Sequence, residues 1–218
     1  MSATWRVPAG LVALSLIPAA SGTLRVVELL GGPVTMPAKQ ALLDSPVPVF
    51  VHIVTAIPFV LLGALQISSG VRRRWPRWHR RAGRLIVPLG VAAALSALWM
   101  NQFYVEPDGR NELLYVFRLF FASLMLWSLL LALQAVRRRD FRTHGAWMMR
   151  AYAVGLGAGT QAFTLGFGQG VFGTTPLTTA VFQAAGWAVN LAVAEWVIRR
   201  SRRRPVAARR QPLRAGAG

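Results

Sequence analysis

An eight-residue pattern, Arg-Arg-Arg-x-x-Arg-x-His, occurs twice in the chain, at residues 72–79 and again at residues 137–144. Each copy separates two long apolar stretches. A soluble domain spreads its charges over its surface, whereas a membrane protein concentrates lysine and arginine in the connections on the cytoplasmic side. The repeated pattern therefore predicts basic connections between membrane helices. It also predicts that both connections lie on the same side of the membrane.

The composition and the charge distribution agree with this interpretation. Of the 218 residues, 54% are hydrophobic and 15% are charged, and the net charge is +18. A strongly basic chain can indicate a nucleic-acid partner. Here, however, the arginines form three clusters separated by nearly uncharged runs of about 20 residues, the length of a helix that crosses a bilayer. We attribute the excess charge to membrane topology and expect no nucleic-acid partner.

The hydropathy pattern predicts an all-α fold, an integral membrane bundle of six transmembrane helices. The predicted spans are 8–30, 48–70, 83–104, 113–136, 147–171 and 178–198. Residues 1–198 would form one domain, and residues 199–218 a basic, disordered cytoplasmic tail held near anionic lipid headgroups. Because lysine and arginine mark the cytoplasmic side, both termini are predicted to be cytoplasmic.

The first span has a second interpretation. Residues 1–6 followed by an apolar stretch that ends at Ala19-Ala20-Ser21-Gly22 are also typical of a signal peptide. The apolar stretch continues through Leu30, beyond this candidate cleavage point, and this favours an uncleaved helix. Cleavage would leave five spans with the same orientation.

Prolines and glycines mark three of the spans. Pro18 and Pro58 lie in the middle of theirs and are expected to kink the helices. The fifth span contains two pairs of glycines with three residues between the members, a spacing that lets helices approach closely in lipid. The pairs are Gly155 with Gly159 and Gly166 with Gly170. We expect this helix to be central in the bundle.

The repeat places two histidines at similar depth on the cytoplasmic side. His79 and His144 are 65 residues apart, and each leads into a helix of the same direction, so the hairpins would be tandem parallel repeats. Three roles fit the pair: axial ligation of haem b with arginines near the propionates, binding of a phosphate or lipid headgroup, or an interfacial position beside topogenic arginines. The candidate ligand-binding residues are His79, Arg80, Arg84, His144, Trp147 and Arg150, and a metal role is confined to His79 and His144 if haem binds.

A second set of polar residues is predicted at the outer face. Arg25 and Glu28 are one helical turn apart and can form an ion pair, and His52 begins the second span at the same level. With Asn101 or Met100 they would line an outward-facing polar pocket. The alternative is a structural ion pair beside an interfacial histidine. Near the inner end, Glu195 is expected to pair with Arg199, four residues later.

Several catalytic signatures are absent from the sequence. It contains no Gly-x-Ser-x-Gly elbow, no Walker loop and no His-Glu-x-x-His motif. The absence of cysteine excludes disulfides, thiolate metal sites and cysteine catalysis. Two histidines with Asp140 as the sole nearby carboxylate make a poor zinc site, which needs at least three protein ligands. We therefore predict no catalytic residue.

These motifs together resemble an uncharacterised family of bacterial multi-pass membrane proteins, described as a domain of unknown function. The resemblance covers residues 50–165 and includes the helix from His52 to Gln66. Its motifs are His79-Arg80-x-x-Gly83-Arg84 and His144-x-x-Trp147-Met148-x-Arg150-x-Tyr152-Ala153, followed by Gly157-Ala158-Gly159-Thr160-Gln161. The resemblance implies a multi-pass protein of the bacterial inner membrane and implies no activity.

Three functional hypotheses remain open from the sequence. The first is a non-enzymatic membrane protein that binds a lipid headgroup or a small anionic ligand at the cytoplasmic face. The second is a haem-b-binding membrane redox protein ligated by His79 and His144. The third is a transporter for a small solute that uses the outer pocket of Arg25, Glu28 and His52.

Overall fold

A computed structural model describes residues 3–36, 40–104 and 109–208 of the chain, with side chains from residue 5 to residue 201. Within these ranges all regular elements are helices, and none of the described residues is in a strand, which confirms the all-α prediction. The helices are α1 (Ala3–Leu29), α2 (Gln40–Asp44), α3 (Pro46–Ile67), α4 (Ser69–Arg74), α5 (Pro76–Phe103), α6 (Glu112–Arg137), α7 (Phe141–Gly155), α8 (Gly157–Phe172) and α9 (Pro176–Ala208).

Five of these helices, α1, α3, α5, α6 and α9, are each long and apolar enough to cross a membrane. Their outward faces carry large apolar side chains. Trp127 is 61% exposed and Phe120 is 58% exposed, both on α6. Apolar surface of this extent on successive helices is stable in contact with lipid and costly in contact with water.

The predicted fifth span, 147–171, is not one helix, and this part of the prediction is wrong. It is divided at Leu156 into α7 and α8, which have 15 and 16 residues. Glycines flank the break on both sides. Gly157 lies against the Trp187 side chain, and a methyl group there would lie 2.2 Å from the indole nitrogen. The helix changes course where small residues admit a large side chain from α9.

The prolines behave differently from this break. Helices α1 and α3 continue through Pro18 and Pro58 without interruption. The carbonyl of Ala153, three residues before the break at Leu156, accepts a hydrogen bond of 3.1 Å from the Asn190 side chain of α9. In lipid such a side-chain partner compensates for irregular backbone, which explains how a break without proline is tolerated.

The centre of the bundle is the Phe59 side chain of α3, which is 1% exposed. A methyl group on Gly90 of α5 or on Gly155 of α7 would lie 2.6 Å from its ring. The two glycines are 65 residues apart, the same offset as the repeated arginine pattern. One aromatic ring therefore contacts equivalent positions of both hairpins.

Helices α6 and α9 run parallel and in register. The Asn111 side chain donates to the Pro176 carbonyl at 2.7 Å. Further along, Phe121 stacks on Trp187 with ring centroids 4.7 Å apart. Both contacts join residues about one repeat length apart, so α9 lies beside α6 in the same direction.

The N-terminal helix α1 packs against α3 and α8 through glycines. A methyl group on Gly22 would lie 3.0 Å from Ile53, and one on Gly159 would lie 2.4 Å from the Leu14 carbonyl oxygen. Gly155 and Gly159 thus permit the predicted close approach. The second predicted pair, Gly166 and Gly170, has no described atom within 4 Å of the position that a methyl group would take.

Two predicted boundaries also need correction. Helix α5 begins at Pro76 rather than at residue 83, and α9 continues to Ala208, ten residues into the segment predicted to be disordered. Both errors have one cause: arginine is a good helix former, so a basic segment can extend a helix past the apolar region. The rest of the predicted tail, residues 209–218, lies outside the described residues.

Candidate ligand site at the arginine-rich end

The three arginine clusters lie at one end of the bundle, which we call the arginine-rich end and define as residues 72–84, 137–142 and 199–201. The start of α1 lies there too, because the rings of Trp5 and Trp75 are 6.1 Å apart. The inner part of α9 joins it through an ion pair between Glu195 and Arg150 of α7. The candidate ligand-binding residues therefore share one end of the molecule.

His79 and His144 occupy the same position in their helices, the fourth residue of α5 and of α7. Each backbone N–H closes the first helical turn, on the Trp75 carbonyl for His79 and on the Asp140 carbonyl for His144, both at 3.0 Å. The two imidazoles are near enough for charge on one to act on the other. The two histidines therefore hold equivalent positions in the two hairpins, as the repeat predicted.

The orientation of His144 is fixed by the Ala132 carbonyl of α6, 2.9 Å from its Nδ1. A carbonyl oxygen can only accept, so Nδ1 carries the proton. In the neutral ring the Nε2 lone pair is then available to a donor or a metal. A hydrogen bond of this kind on the other ring nitrogen is also how proteins orient histidine ligands.

His79 has a different environment. Its Nδ1 is buried and has no hydrogen-bond partner among the described residues. Its backbone carbonyl accepts from the Gln66 side chain at 3.2 Å, which ties α5 to α3. Groups whose charge reaches the imidazole include Arg72, His144 and Arg80. A buried polar atom without a partner is uncommon, and this one lies in strongly positive surroundings.

Arg150 forms an ion pair with Glu195 that the sequence did not predict. Its Nε and one terminal nitrogen lie 2.5 and 3.1 Å from the two carboxylate oxygens of Glu195. Its guanidinium carbon lies 4.4 Å from the centre of the Trp147 ring. The expected partner of Glu195 was Arg199. Arg150 takes that place because α7 and α9 are adjacent and a planar guanidinium can contact both oxygens.

Arg80 and Arg84 remain exposed at the arginine-rich end. No hydrogen bond or ion pair joins either guanidinium to another described side chain. Of the six candidate residues, Arg150 is thus engaged by Glu195 of α9 and by the Trp147 ring.

Asp140 is the carboxylate nearest the second histidine, and it serves as the N-cap of α7. It accepts a hydrogen bond from the Thr143 N–H at 3.0 Å. The bonds from Thr143 hold the pKa of Asp140 below its usual range. Among the described residues, no group of three or more His, Cys, Asp or Glu side chains is placed to hold a metal ion.

At the opposite end, the structure divides the predicted outer set. Arg25 and Glu28 form the expected ion pair, with 2.7 Å between nitrogen and oxygen. The other oxygen of Glu28 accepts from the Thr35 and Met36 N–H groups at 2.5 and 2.8 Å, so the carboxylate anchors the turn after α1. His52 instead bonds through Nδ1 to the Ala93 carbonyl of α5 at 3.0 Å.

His52 contacts α5 rather than α1. Ile53 and Ile57 face α1, where they line an apolar cavity of about 280 Å³. The described contacts thus join Arg25 to Glu28 and give His52 a separate partner. They do not form one pocket from the three residues.

Sequence reasoning overlooked Arg118, which lies six residues inside α6. Its guanidinium is 3.5 Å from the Gln183 side-chain oxygen of α9. A second polar contact between helices joins Thr160 to Asn190 at 2.7 Å. The signal for Arg118 was available, because a charged residue inside an apolar run is rare and marks a polar contact.

Helices of membrane length, apolar outer faces and arginines gathered at one end define a multi-pass α-helical membrane protein. The sequence matches the model of the DUF2306 family, described as predicted membrane proteins, over residues 49–198, and the chain belongs to this family. The match runs from the start of α3 into α9 and leaves α1 outside. It confirms the resemblance seen in the sequence and extends it beyond residue 165. No curated protein and no solved structure matches the chain.

Proposed function

We propose that the protein binds a phosphate group, without a chemical step, between the first turns of α5 and α7 at the arginine-rich end. The observation that carries this proposal is the buried Nδ1 of His79, which has no partner among the described residues. Arg80 and Arg72 act on the same imidazole, so the surroundings favour an anion over a cation. Arg84 extends the positive surface one turn further along α5.

A phosphate group suits the two histidines in either protonation state. Its oxygens accept hydrogen bonds from N–H groups, and its protonated form also donates one. Nδ1 of His79 can therefore be satisfied as a donor or as an acceptor. Arginine adds charge-assisted bonds to the same oxygens. In this arrangement the bond from Arg150 to Glu195 holds α7, and with it His144, beside α9.

The topology that we propose for this function has six crossings and both termini in the cytoplasm of a bacterial cell. Helices α7 and α8 together form the crossing that the sequence assigned to one span. The support is the common location of the arginine clusters, since basic connections are retained on the cytoplasmic side of the inner membrane. The phosphate site would then face the cytoplasm.

The test is thermal unfolding of the purified protein in detergent, with sodium phosphate compared with sodium chloride at equal ionic strength. At 100 times the Kd, a ligand stabilises by about 2.7 kcal/mol, which corresponds to a rise in Tm of about 5–10 °C for a chain of this size. A second arm replaces phosphate by phosphatidic acid, with phosphatidylcholine as its control. A rise with the lipid alone identifies a headgroup, and a rise with both identifies the phosphate group itself.

Single substitutions distinguish binding at this site from attraction to positive charge in general. We expect His79→Ala and Arg80→Gln to remove most of the rise in Tm. Arg81→Gln, which removes the same charge from the next residue of α5, should retain it. An unchanged Tm in both arms, or equal losses in Arg80→Gln and Arg81→Gln, would contradict the proposal.

One observation favours a second candidate, haem b held by His79 and His144. The Ala132 carbonyl already orients His144 with its Nε2 free, as in an axial ligand. Neither histidine lines the cavities of about 280 and 270 Å³. The test is the visible absorption spectrum of protein that was expressed with ample haem and then purified. A Soret band that is lost in His144→Ala supports haem binding, and a featureless spectrum rejects it.

A further inference from the structure

A groove on the outer side of α9 lies at the arginine-rich end, apart from the two histidines. Trp196, Val197, Arg200 and Ser201 line it, and its volume is about 270 Å³. Two of these residues are apolar, one is cationic and one carries a hydroxyl group. The groove therefore joins the three environments that a phospholipid spans at the edge of a bilayer.

An apolar stripe leads from the middle of α9 to this groove. Val189, Val193, Trp196 and Arg200 follow one another at spacings of four, three and four residues, which places them on one helix face. The first three are 50%, 56% and 59% exposed. The stripe covers about 10 Å along the helix axis at 1.5 Å per residue. It has the apolar character and the direction of an acyl chain that ends at a charged headgroup.

The cation at the end of the stripe is held in a defined orientation. The guanidinium carbon of Arg200 lies 5.2 Å from the centre of the Trp196 ring. The acidic residue nearest to Arg200 in the sequence, Glu195, is paired with Arg150 of α7. Its charge is therefore compensated away from Arg200, and the positive field at the groove favours an anion.

Ser201 restricts the ligand further. Its hydroxyl group donates to the Ile198 carbonyl at 2.7 Å. In this geometry the single proton of the hydroxyl is used, and its oxygen is available as an acceptor. A phosphate oxygen would have to displace the bond to Ile198, whereas a hydroxyl group on the lipid headgroup can donate to Ser201 without breaking it.

We propose that this groove binds an anionic glycerophospholipid whose headgroup carries a free hydroxyl group, as in phosphatidylglycerol. The phosphate contacts Arg200, and the headgroup hydroxyl donates to Ser201. One acyl chain follows Val193 and Val189 toward the middle of the membrane. This site is independent of the phosphate site at His79 and His144.

The first experiment titrates the detergent-purified protein with phosphatidylglycerol and counts bound lipids by native mass spectrometry. We expect Arg200→Gln to weaken the tightest binding about tenfold, because a charge-assisted hydrogen bond is lost. Arg199→Gln removes the same charge from the neighbouring residue, which does not line the groove, and should weaken it no more than about threefold. Circular dichroism checks that both variants keep their helices.

The second experiment tests the headgroup hydroxyl with phosphatidylmethanol, which has the same charge and lacks that group. The wild-type protein should bind phosphatidylglycerol about fivefold more tightly than phosphatidylmethanol, as one hydrogen bond would give. Ser201→Ala should reduce this preference to about one without affecting phosphatidylmethanol.

Equal losses in Arg200→Gln and Arg199→Gln would show attraction to surface charge alone and overturn the proposal. So would a preference for phosphatidylglycerol that survives in Ser201→Ala.

Discussion

At the scale of single residues, the bond between Arg150 and Glu195 makes a clear prediction. Both side chains are partly buried, 19% and 33% exposed, and removing one charge leaves the other without its partner. We expect Glu195→Gln to lower the free energy of unfolding by about 2 kcal/mol, because bonds to charged groups are each worth about 1.5–3 kcal/mol. Unfolding in a denaturing detergent measures the change.

The control for this pair is Glu112→Gln, which removes an exposed carboxylate from the first turn of α6. Its expected effect is below about 0.5 kcal/mol. The double variant Arg150→Met/Glu195→Leu should recover part of the loss, since it leaves no unpaired charge. The pair does not act as described if the double variant loses more free energy of unfolding than the two single variants, Arg150→Met and Glu195→Leu, lose together.

The residues also show where sequence reasoning succeeds and where it stops. The pairing of Arg25 with Glu28 was predictable because both lie on one helix, one turn apart. The partner of Glu195 was not predictable by the same rule. Arg199 satisfies the helical spacing equally well, and the choice of Arg150 depends on α7 packing beside α9. Local spacing identifies candidates, and tertiary packing selects among them.

At the scale of elements, the break between α7 and α8 depends on the space that Gly157 leaves for Trp187. A methyl group at Gly157 would lie 2.2 Å from the indole nitrogen. We expect Gly157→Ala to destabilise the protein by about 1–3 kcal/mol, the usual cost of overfilling a packed site. The same unfolding assay reports it.

Gly166→Ala provides the matched change on the same helix. No described atom lies within 4 Å of the position that its methyl group would take. Alanine is also the better helix former, so stability should stay the same or rise by up to about 1 kcal/mol. Equal destabilisation by both substitutions would mean that the close contact with Trp187 does not define the break.

The break itself could not be read from the sequence. Sequence rules assign helix kinks to proline, and Pro18 and Pro58 were the visible candidates. The helices continue through both. The actual break has a leucine between two glycines, and its cause is a tryptophan that is 31 residues away in the chain. The predicted ends of the spans were wrong for a simpler reason. Hydropathy indicates which residues lie in the bilayer, and a helix can continue beyond them.

At the scale of the whole molecule, the proposed topology can be tested by cysteine labelling, because the natural chain has no cysteine. Arg138→Cys lies in the second basic connection, and Thr174→Cys lies in the connection between α8 and α9. Both positions are exposed. We expect a membrane-impermeant maleimide to label Thr174→Cys in intact cells and Arg138→Cys only after permeabilisation, because basic connections stay in the cytoplasm.

The reverse labelling pattern would show that the protein has the opposite orientation in the membrane, with the phosphate site outside the cytoplasm. Labelling of both positions from one side would mean that α7 and α8 together do not cross the membrane. The arginine clusters made the relative arrangement predictable from the sequence, since they recur at every second connection. The lateral order of the helices was not predictable, because lipid-facing and partner-facing apolar residues are alike in composition.

The position of Phe59 between Gly90 and Gly155 has a consequence for how this chain can vary. A larger residue at either glycine would collide with the same ring, so neither hairpin can change there independently of the other. A smaller residue at position 59 would relieve both constraints at once and leave a void for two new methyl groups to fill. We therefore expect the three positions to vary together among relatives, with small side chains at 90 and 155 wherever an aromatic ring occupies 59.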